Sequence, residues 1–574
     1  MRKKTLFAIT TVLALFVTHL SSQPPSNYDL RDLNLVTSVK AQKQSTCWAH
    51  ATASSIEGNL LVTENWKNAG ETGEPNIAEY HYDWWFGFNK AWNGDFEGGN
   101  STGLNIHSWG DFKMFCAYMS RLEGPIREVD APGDNAGNIP SQTTIPLYKE
   151  SYHRWYITDI CWYYIDGDGP FGSLKNIDTI KNVVMRNGVT ATNYNCISSS
   201  TGSWNGLSTY YQPQSNSAGS NHNVGIIGWD DECVTKASQK GAWLLKNSWG
   251  TNNEPYFWIS YYDKHCCRQI DESCVSFHNV QPLPYTGVYY HDYHGWRGTF
   301  NNAKECFNKY IAKETSGEWL IDVSYFTTTD HEEWEIKIYD NFTNGELQDE
   351  LASVSGYNDH IGYHTAKLSN FVTLKSNDDF YIYLKVKNGG LAYDRTSSPF
   401  NPEGKDVRVD AVIPSKSEPD QSYYRTSPTS AWTDLYEYEE TIKANGQSVD
   451  CQGSQNFCLK GYIIDTMPTG IEDIPALENT PFRLDNYPNP FLSHTTVSYT
   501  VTKNSAVSLA IFNARGRKVY SFAEQKHAPG TYTKIWHGTD NTGRLLSSGI
   551  YYAVLTAETL KGILTEKRKM FLIK

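Results

Sequence analysis

The period of the hydrophobic pattern changes once along this chain, near Asp263, and that change limits the folds open to it. From Tyr285 to Ile464 apolar and polar residues alternate in short runs, as in Glu318-Trp-Leu-Ile-Asp-Val-Ser-Tyr-Phe, Trp334-Glu-Ile-Lys-Ile-Tyr and Phe380-Tyr-Ile-Tyr-Leu-Lys-Val. Period-two alternation sends every second side chain to one face, and the Asn, Asp, Gly and Pro between the runs form turns. This region reads as an antiparallel β-sandwich. Ahead of Asp263 the pattern is mixed. Ala49 to Leu61 sets Ala49, Ala53, Ile56 and Leu60 on one helical stripe. His107–Leu122 and Ser173–Asn187 are further helical stretches, and strands are expected around His222 and Trp243. Such a mixture is α+β.

Thr466 to Pro481 is rich in Pro, Glu and Thr and reads as a linker. Beyond it, Thr495-Thr-Val-Ser-Tyr-Thr-Val and Val507-Ser-Leu-Ala-Ile-Phe alternate again, with a turn at Ala514-Arg-Gly516. The strand count suits an immunoglobulin-like sandwich of about 90–100 residues. The expected divisions are a leader at 1–22, an α+β region at 23–283, a β-sandwich at 284–465, a linker at 466–483 and an Ig-like region at 484–574.

Met1-Arg-Lys-Lys, the apolar run Leu6 to Val17 and the exit His19-Leu-Ser-Ser-Gln read as a secretory signal peptide. The run is shorter than the ~18 residues of a membrane span, and no later run reaches that length. Export without a transmembrane helix is the expectation. A net charge of −13 argues against nucleic acid as the main partner. The 38 Tyr and 18 Trp suit sandwich cores and sugar- or peptide-contacting surfaces. There are 11 cysteines. If Cys47 is kept free as a nucleophile, the others can form disulfides, with Cys451 and Cys458 near enough in sequence to close one loop; the remaining pairings are open. Zinc on Cys233, Cys266, Cys267 and Cys274 is disfavoured, because Cys-x-x-Cys pairs are lacking. No metal or cofactor is expected.

The chemistry-bearing residues lie in the first half. Cys47 follows Gln42-Lys-Gln-Ser-Thr and directly precedes the helical pattern. Downstream stand Asn221-His222-Asn-Val and Lys246-Asn247-Ser248-Trp249-Gly250. Cys, His and Asn can serve as nucleophile, base and orienting group. A thiol at a helix N-terminus gains from the macrodipole, and an imidazolium beside it would lower its pKa further. Asn247 would fix the ring of His222, and Trp249 would cover that bond. His50, one turn after Cys47, reads as a helix-face histidine without a catalytic task.

These residues resemble the papain family of cysteine peptidases over much of Tyr28 to Asp263. Asn27-Tyr-Asp-Leu-Arg-Asp is similar to the start of a mature enzyme of that family, Val39-Lys-Ala-Gln42 to its oxyanion-hole segment, and Asn76-Ile-Ala-Glu-Tyr to the segment after its central helix. Gly98-Gly99 resembles its paired cleft glycines. The resemblance implies a helical half plus a β-barrel half, with Cys47 as nucleophile, His222 as acid/base, Asn247 as orienter, and Gln42 with the Cys47 N–H as oxyanion donors. Gly98, Gly99 and Trp249 would line the substrate cleft. Because Gln42–Cys47 is one residue shorter than the family pattern, Gln44 is a rival donor. Inserted loops are expected at Pro132–Thr144 and Cys196–Gly219, and control by a long propeptide is not expected.

Arg121-Leu-Glu-Gly124-Pro125-Ile, Asn221-His222-Asn-Val-Gly-Ile-Ile-Gly-Trp229-Asp230-Asp231 and Gly362-Tyr-His-Thr-Ala-Lys-Leu resemble the papain-like peptidases that carry a lectin-like β domain. Leu484-Asp-Asn-Tyr-Pro488-Asn-Pro490-Phe491 and the ending Lys569-Met-Phe-Leu-Ile-Lys574 resemble the C-terminal sorting domain of type IX secretion substrates, with a flagellar-hook type Ig-like module as the structural alternative. The implied protein is an endopeptidase, secreted or on the outer-membrane surface of a double-membraned bacterium. Its partners would be protein or peptide substrates, the type IX machinery and, through the β domain, surface glycans. The alternative is a surface adhesin or glycan-binding protein whose papain-like domain is degenerate.

Overall fold

Cys47–Thr63 is a helix, starting two residues earlier and ending two residues later than the apolar spacing predicts. Its first fourteen residues, Cys47 to Leu60, are all buried, so the expected single stripe gives way to a helix enclosed on every side. Small residues (Ala49, Ala51, Ala53, Ser54, Ser55, Gly58) make that possible by letting neighbours approach. A Cβ added at Gly58 would stand 2.7 Å from the Val189 backbone nitrogen. The helix ends at Glu64, in the left-handed region at φ 60°. Shorter helices follow at Glu79–Trp85, Phe112–Ser120 and Ile177–Asn187.

The computed structural model describes residues 23–465, except 97–101, 132–150, 166–173, 197–200, 269–273, 314–316, 399–410 and 445–446, and, with short breaks, 482–572. The leader at 1–22, the loop expected at Pro132–Thr144 and most of the linker lie outside the described residues. The second expected insertion contains a hairpin, Thr201–Trp204 with Leu207–Tyr210, whose second strand pairs in parallel with Tyr256–Ser260.

Pro25–Glu478 forms one compact unit. Its backbone is a 13-stranded sheet that passes without a break from the α+β region into the β-rich region. His222–Asp230 pairs with Ala242–Lys246 on one side and Thr190–Tyr194 on the other. Further along, Trp155–Tyr163 pairs with Cys274–Pro282, and its other edge takes Gly362–Thr373 through Cys161↔Gly362, Ile160↔Tyr363 and Asp159↔His364. A six-stranded antiparallel sheet, from Glu346–Asn358 to Thr433–Asp434, completes the sandwich. Leu320, Val323, Ile336, Ile382, Leu384 and Ile463 fill its core, as period-two alternation requires. The protein is multidomain and mostly β, with few helices.

The second unit, from Asn479 onward, is a small sandwich. Phe482–Tyr487, Thr495–Val501 and Gly530–Trp536 form one sheet. Ser505–Asn513, Gly549–Thr559 and Gly562–Leu572 form the centre and edge of the other. Val497, Leu509, Ile511, Trp536 and Leu555 are buried between them.

The disulfides expected from the cysteine count are not formed: all eleven cysteines are free thiols. The loop closure expected between Cys451 and Cys458 fails because the two sulfurs engage different partners. Cys451 Sγ lies 3.4 Å from the Thr396 carbonyl, and Cys458 is buried beside Asp292. No described helix is long and apolar enough to cross a membrane.

Candidate active site

The site forms where the helix tip at Cys47 meets the start of the strand His222–Asp230. The Asn223 backbone, next to His222 in the strand, lies near enough to the Cys47 thiol to lower its pKa. Asn247 follows the neighbouring strand Ala242–Lys246. The paired strands thus carry His222 and Asn247 to one end of the sheet, and His222 Nε2 lies 2.8 Å from Asn247 Oδ1. The orientation of the Asn247 amide is set independently: its Nδ2 donates to the Glu254 carbonyl at 3.2 Å, and its Oδ1 accepts from the Ser248 N–H at 2.8 Å. A carbonyl oxygen only accepts, so Nε2 carries the proton and Nδ1 keeps its lone pair. Trp249 stacks on the imidazole with centroids 4.5 Å apart, and Tyr194 meets it edge-on at 5.7 Å.

The electrostatics differ from the sequence expectation of a lowered thiol pKa. Burial pushes the Cys47 thiol up to about 11, and backbone hydrogen bonds from Asn223, Trp48 and Cys47 only partly offset it. Burial likewise pushes His222 down to about 4, against the raising effect of Asn247. Burial thus works against the charged form of each group taken singly. Moving one proton from Sγ to Nδ1 creates both charges together, where a low dielectric strengthens their attraction.

Gln42 stands at the side of this site. Its N–H donates to the Ser248 carbonyl at 2.7 Å, and the neighbouring Ala41 bridges Trp249. Its side-chain Oε1 accepts from Ser248 Oγ at 2.5 Å, while Nε2 donates to the Gln44 carbonyl at 3.1 Å. Gln44 itself is exposed and left-handed, at φ 54°. Gly98 and Gly99 lie outside the described residues. His50 is buried, with Nδ1 3.0 Å from the Thr46 carbonyl and its ring edge-on to Tyr80.

Several supporting residues escape sequence reasoning. The turn before Cys47 is held by Tyr80, whose hydroxyl accepts from the Lys43 N–H at 2.9 Å, and by the His107 carbonyl, which accepts from the Ser45 N–H at 3.2 Å. His107 is held in turn by buried Asp83, at 2.5 Å from Nδ1. Beneath the site, Glu57 on the helix accepts from Thr37 Oγ1, Lys40 Nζ and the Ile77 N–H, and Lys40 also reaches Glu79. Ser248 stands between Asn247 and Trp249 in the sequence without a role of its own there; Asp83, His107 and Glu57 carry no local signal that distinguishes them from other polar residues.

Residues 167–276 match the family model described as papain family cysteine protease. The chain carries a papain-family cysteine protease domain. It is therefore a cysteine-type peptidase, and the matched stretch includes His222 and Asn247 and begins after Cys47. Residues 288–463 match the model of a lectin like domain, and 493–561 that of a FlgD Ig-like domain. No curated protein matches the chain. Two solved structures share the fold of the papain-family and lectin-like regions. One is the clostridial cysteine protease Cwp84 after propeptide cleavage, with TM-score 0.58 and 23% identity over 77% of this chain and 99% of that one. The other contains the cysteine protease and lectin-like domains of Cwp84, a surface layer associated protein of Clostridium difficile, with TM-score 0.56 and 22% identity over 78% and 90%.

Proposed function

We propose that the protein is a secreted or cell-surface endopeptidase in which Cys47, His222 and Asn247 carry out acyl transfer. The observation that carries this reading is the 2.8 Å bond from His222 Nε2 to Asn247 Oδ1. It leaves Nδ1 as the acceptor for the thiol proton. As Sγ attacks the substrate carbonyl carbon, its proton passes to Nδ1 and the carbonyl π electrons move to oxygen. The Cys47 N–H and the Gln42 amide hold that oxyanion, Gln42 being steadied by Ser248. The C–N bond then breaks, and His222 returns the proton to the leaving amine. Water attacks the thioester, gives its proton to His222, and the acid leaves as the thiol re-forms. Trp249 keeps water from the His222–Asn247 bond.

The leader at 1–22 supports export, and we read 484–574 as a type IX sorting unit joined through 466–483. That reading puts the protein on the outer-membrane surface of a double-membraned bacterium, and the surface-layer association of Cwp84 favours the same kind of location. The lectin-like region suits glycan contact beside the peptide cleft.

The test is direct. Purified full-length protein is incubated with an unfolded protein, with and without a thiol-directed epoxide. Cleavage and covalent labelling are both expected to depend on Cys47; cleavage that persists in Cys47→Ala overturns the assignment.

A further inference from the structure

Away from the thiol, three side chains from distant parts of the chain converge where the helical half meets the β-sandwich. Asp95 comes from the loop after the helix Glu79–Trp85, His294 from the start of the β-rich region, and Asp394 ends the strand Leu391–Asp394. One potential ligand atom from each lies within 4.8 Å of the other two. His294 and Asp394 are almost wholly buried, at 0% and 1% exposure.

The hydrogen bonds say which atoms face each other. His294 Nε2 lies 3.1 Å from the Gly87 carbonyl, which can only accept, so Nε2 carries a proton. The other nitrogen, Nδ1, points at Asp95 Oδ2 at 3.5 Å and Asp394 Oδ2 at 3.9 Å. Ser415 Oγ stands 3.2 Å from both Nδ1 and Asp95 Oδ2, and it has one proton to give. Asp394 Oδ2 takes the His294 backbone N–H, but its Oδ1 is buried with no hydrogen-bond donor. Of the nearby cations, Arg121 pairs with Glu123, Lys460 with Asp292 and Arg297, through one nitrogen, with Asp111. Asp95 Oδ2 also accepts the Lys416 N–H at 3.2 Å, yet three lone-pair atoms face one another, an arrangement that costs several kcal/mol unless a proton or a cation sits among them.

We propose that Asp95, His294 and Asp394 bind one divalent cation of the zinc class. An imidazole with one nitrogen pinned to a backbone carbonyl and the other aimed at carboxylates is the outer-shell arrangement of metal-ligating histidines. A nitrogen donor beside two carboxylates favours a first-row transition ion over calcium. The cation would clamp the loop that carries Asp95 to the sandwich. That loop is already stitched there by Asn93 Nδ2 to the Pro414 carbonyl and by the pair Thr102–Val412.

The experiment uses full-length protein stripped with a chelator and titrated calorimetrically with Zn²⁺, with Ca²⁺ in parallel. Roughly one equivalent of Zn²⁺ is expected, together with a raised melting temperature and an X-ray absorption spectrum showing only nitrogen and oxygen neighbours. Asp95→Asn, at the least buried ligand, should lose this binding while remaining folded, and His294→Gln should lose it as well. No Zn²⁺ uptake, uptake undiminished in folded Asp95→Asn, a sulfur-containing shell drawn from the free cysteines, or binding of Ca²⁺ alone would each overturn the proposal.

Discussion

Trp249 lies on His222 with ring planes 22° from parallel, covering the face of the imidazole whose Nε2 bonds Asn247. Both residues of the covered bond follow from strand pairing, whereas the cover depends on one side chain. Trp249→Ala should therefore leave the fold intact and let the ring swing. A displacement of about 1 Å at the reacting atoms costs roughly 10²-fold in rate. Peptide hydrolysis by the variant should show that loss in kcat, with KM little changed; unchanged kcat would mean that Trp249 has no part in holding the ring.

Gln42 and Gln44 compete in the sequence for the oxyanion, and their environments differ. Ser248 holds the Gln42 carboxamide, while Gln44 is exposed on a left-handed turn. Gln42→Ala should lower kcat by about 10²–10³-fold, and Gln44→Ala by far less. Equal losses from the two variants would reassign the donor.

The pH profile follows from the two buried groups. In the proposed mechanism neutral His222 receives the thiol proton, and burial pushes its pKa down to about 4. Competence should therefore persist as pH falls past 6.5 and disappear only through about 4. Burial pushes Cys47 up to about 11, so the alkaline limb should lie well above neutrality. The limbs of kcat/KM report the coupled pair, not either residue alone. An acid limb at 6.5 would show that the imidazole is solvated in solution.

Much of this site was legible because each chemical residue sits in its own local context. Cys47 precedes a helical run, His222 opens an apolar strand, and Asn247 has Trp249 two residues on. The helix and the period-two region were legible for the same reason, since periodicity is a property of neighbours. The supports were not, because they join residues far apart. Asp83 meets His107, and Glu57 meets Thr37 and Lys40, through contacts that no spacing encodes. Cysteine number misled for a related reason: counting thiols says nothing about where each sulfur points.

Glu57 offers a stability measurement. It is fully buried and accepts from Thr37, Lys40 and the Ile77 backbone. Glu57→Ala strands those donors, although Glu79 still reaches Lys40. The loss should be about 3 kcal/mol, read by denaturant unfolding. A change below ~1 kcal/mol would mean that water replaces the carboxylate freely.

Free thiols are countable. In denaturant and without reductant, a chromogenic disulfide should report all eleven cysteines. In the folded protein most should be silent, since burial raises the pKa of Cys116, Cys161 and Cys306 among others. A shortfall of two thiols in denaturant would reveal one oxidised pair.

The strand Trp155–Tyr163 has the peptidase on one side and the lectin-like sandwich on the other. A chain ended at residue 283 would bare that strand's outer edge, with its unpaired N–H and C=O groups open to any passing β-strand. Cutting out the enzyme half alone should therefore yield an aggregating fragment, and the two halves are best regarded as a single piece of cloth rather than beads on a thread.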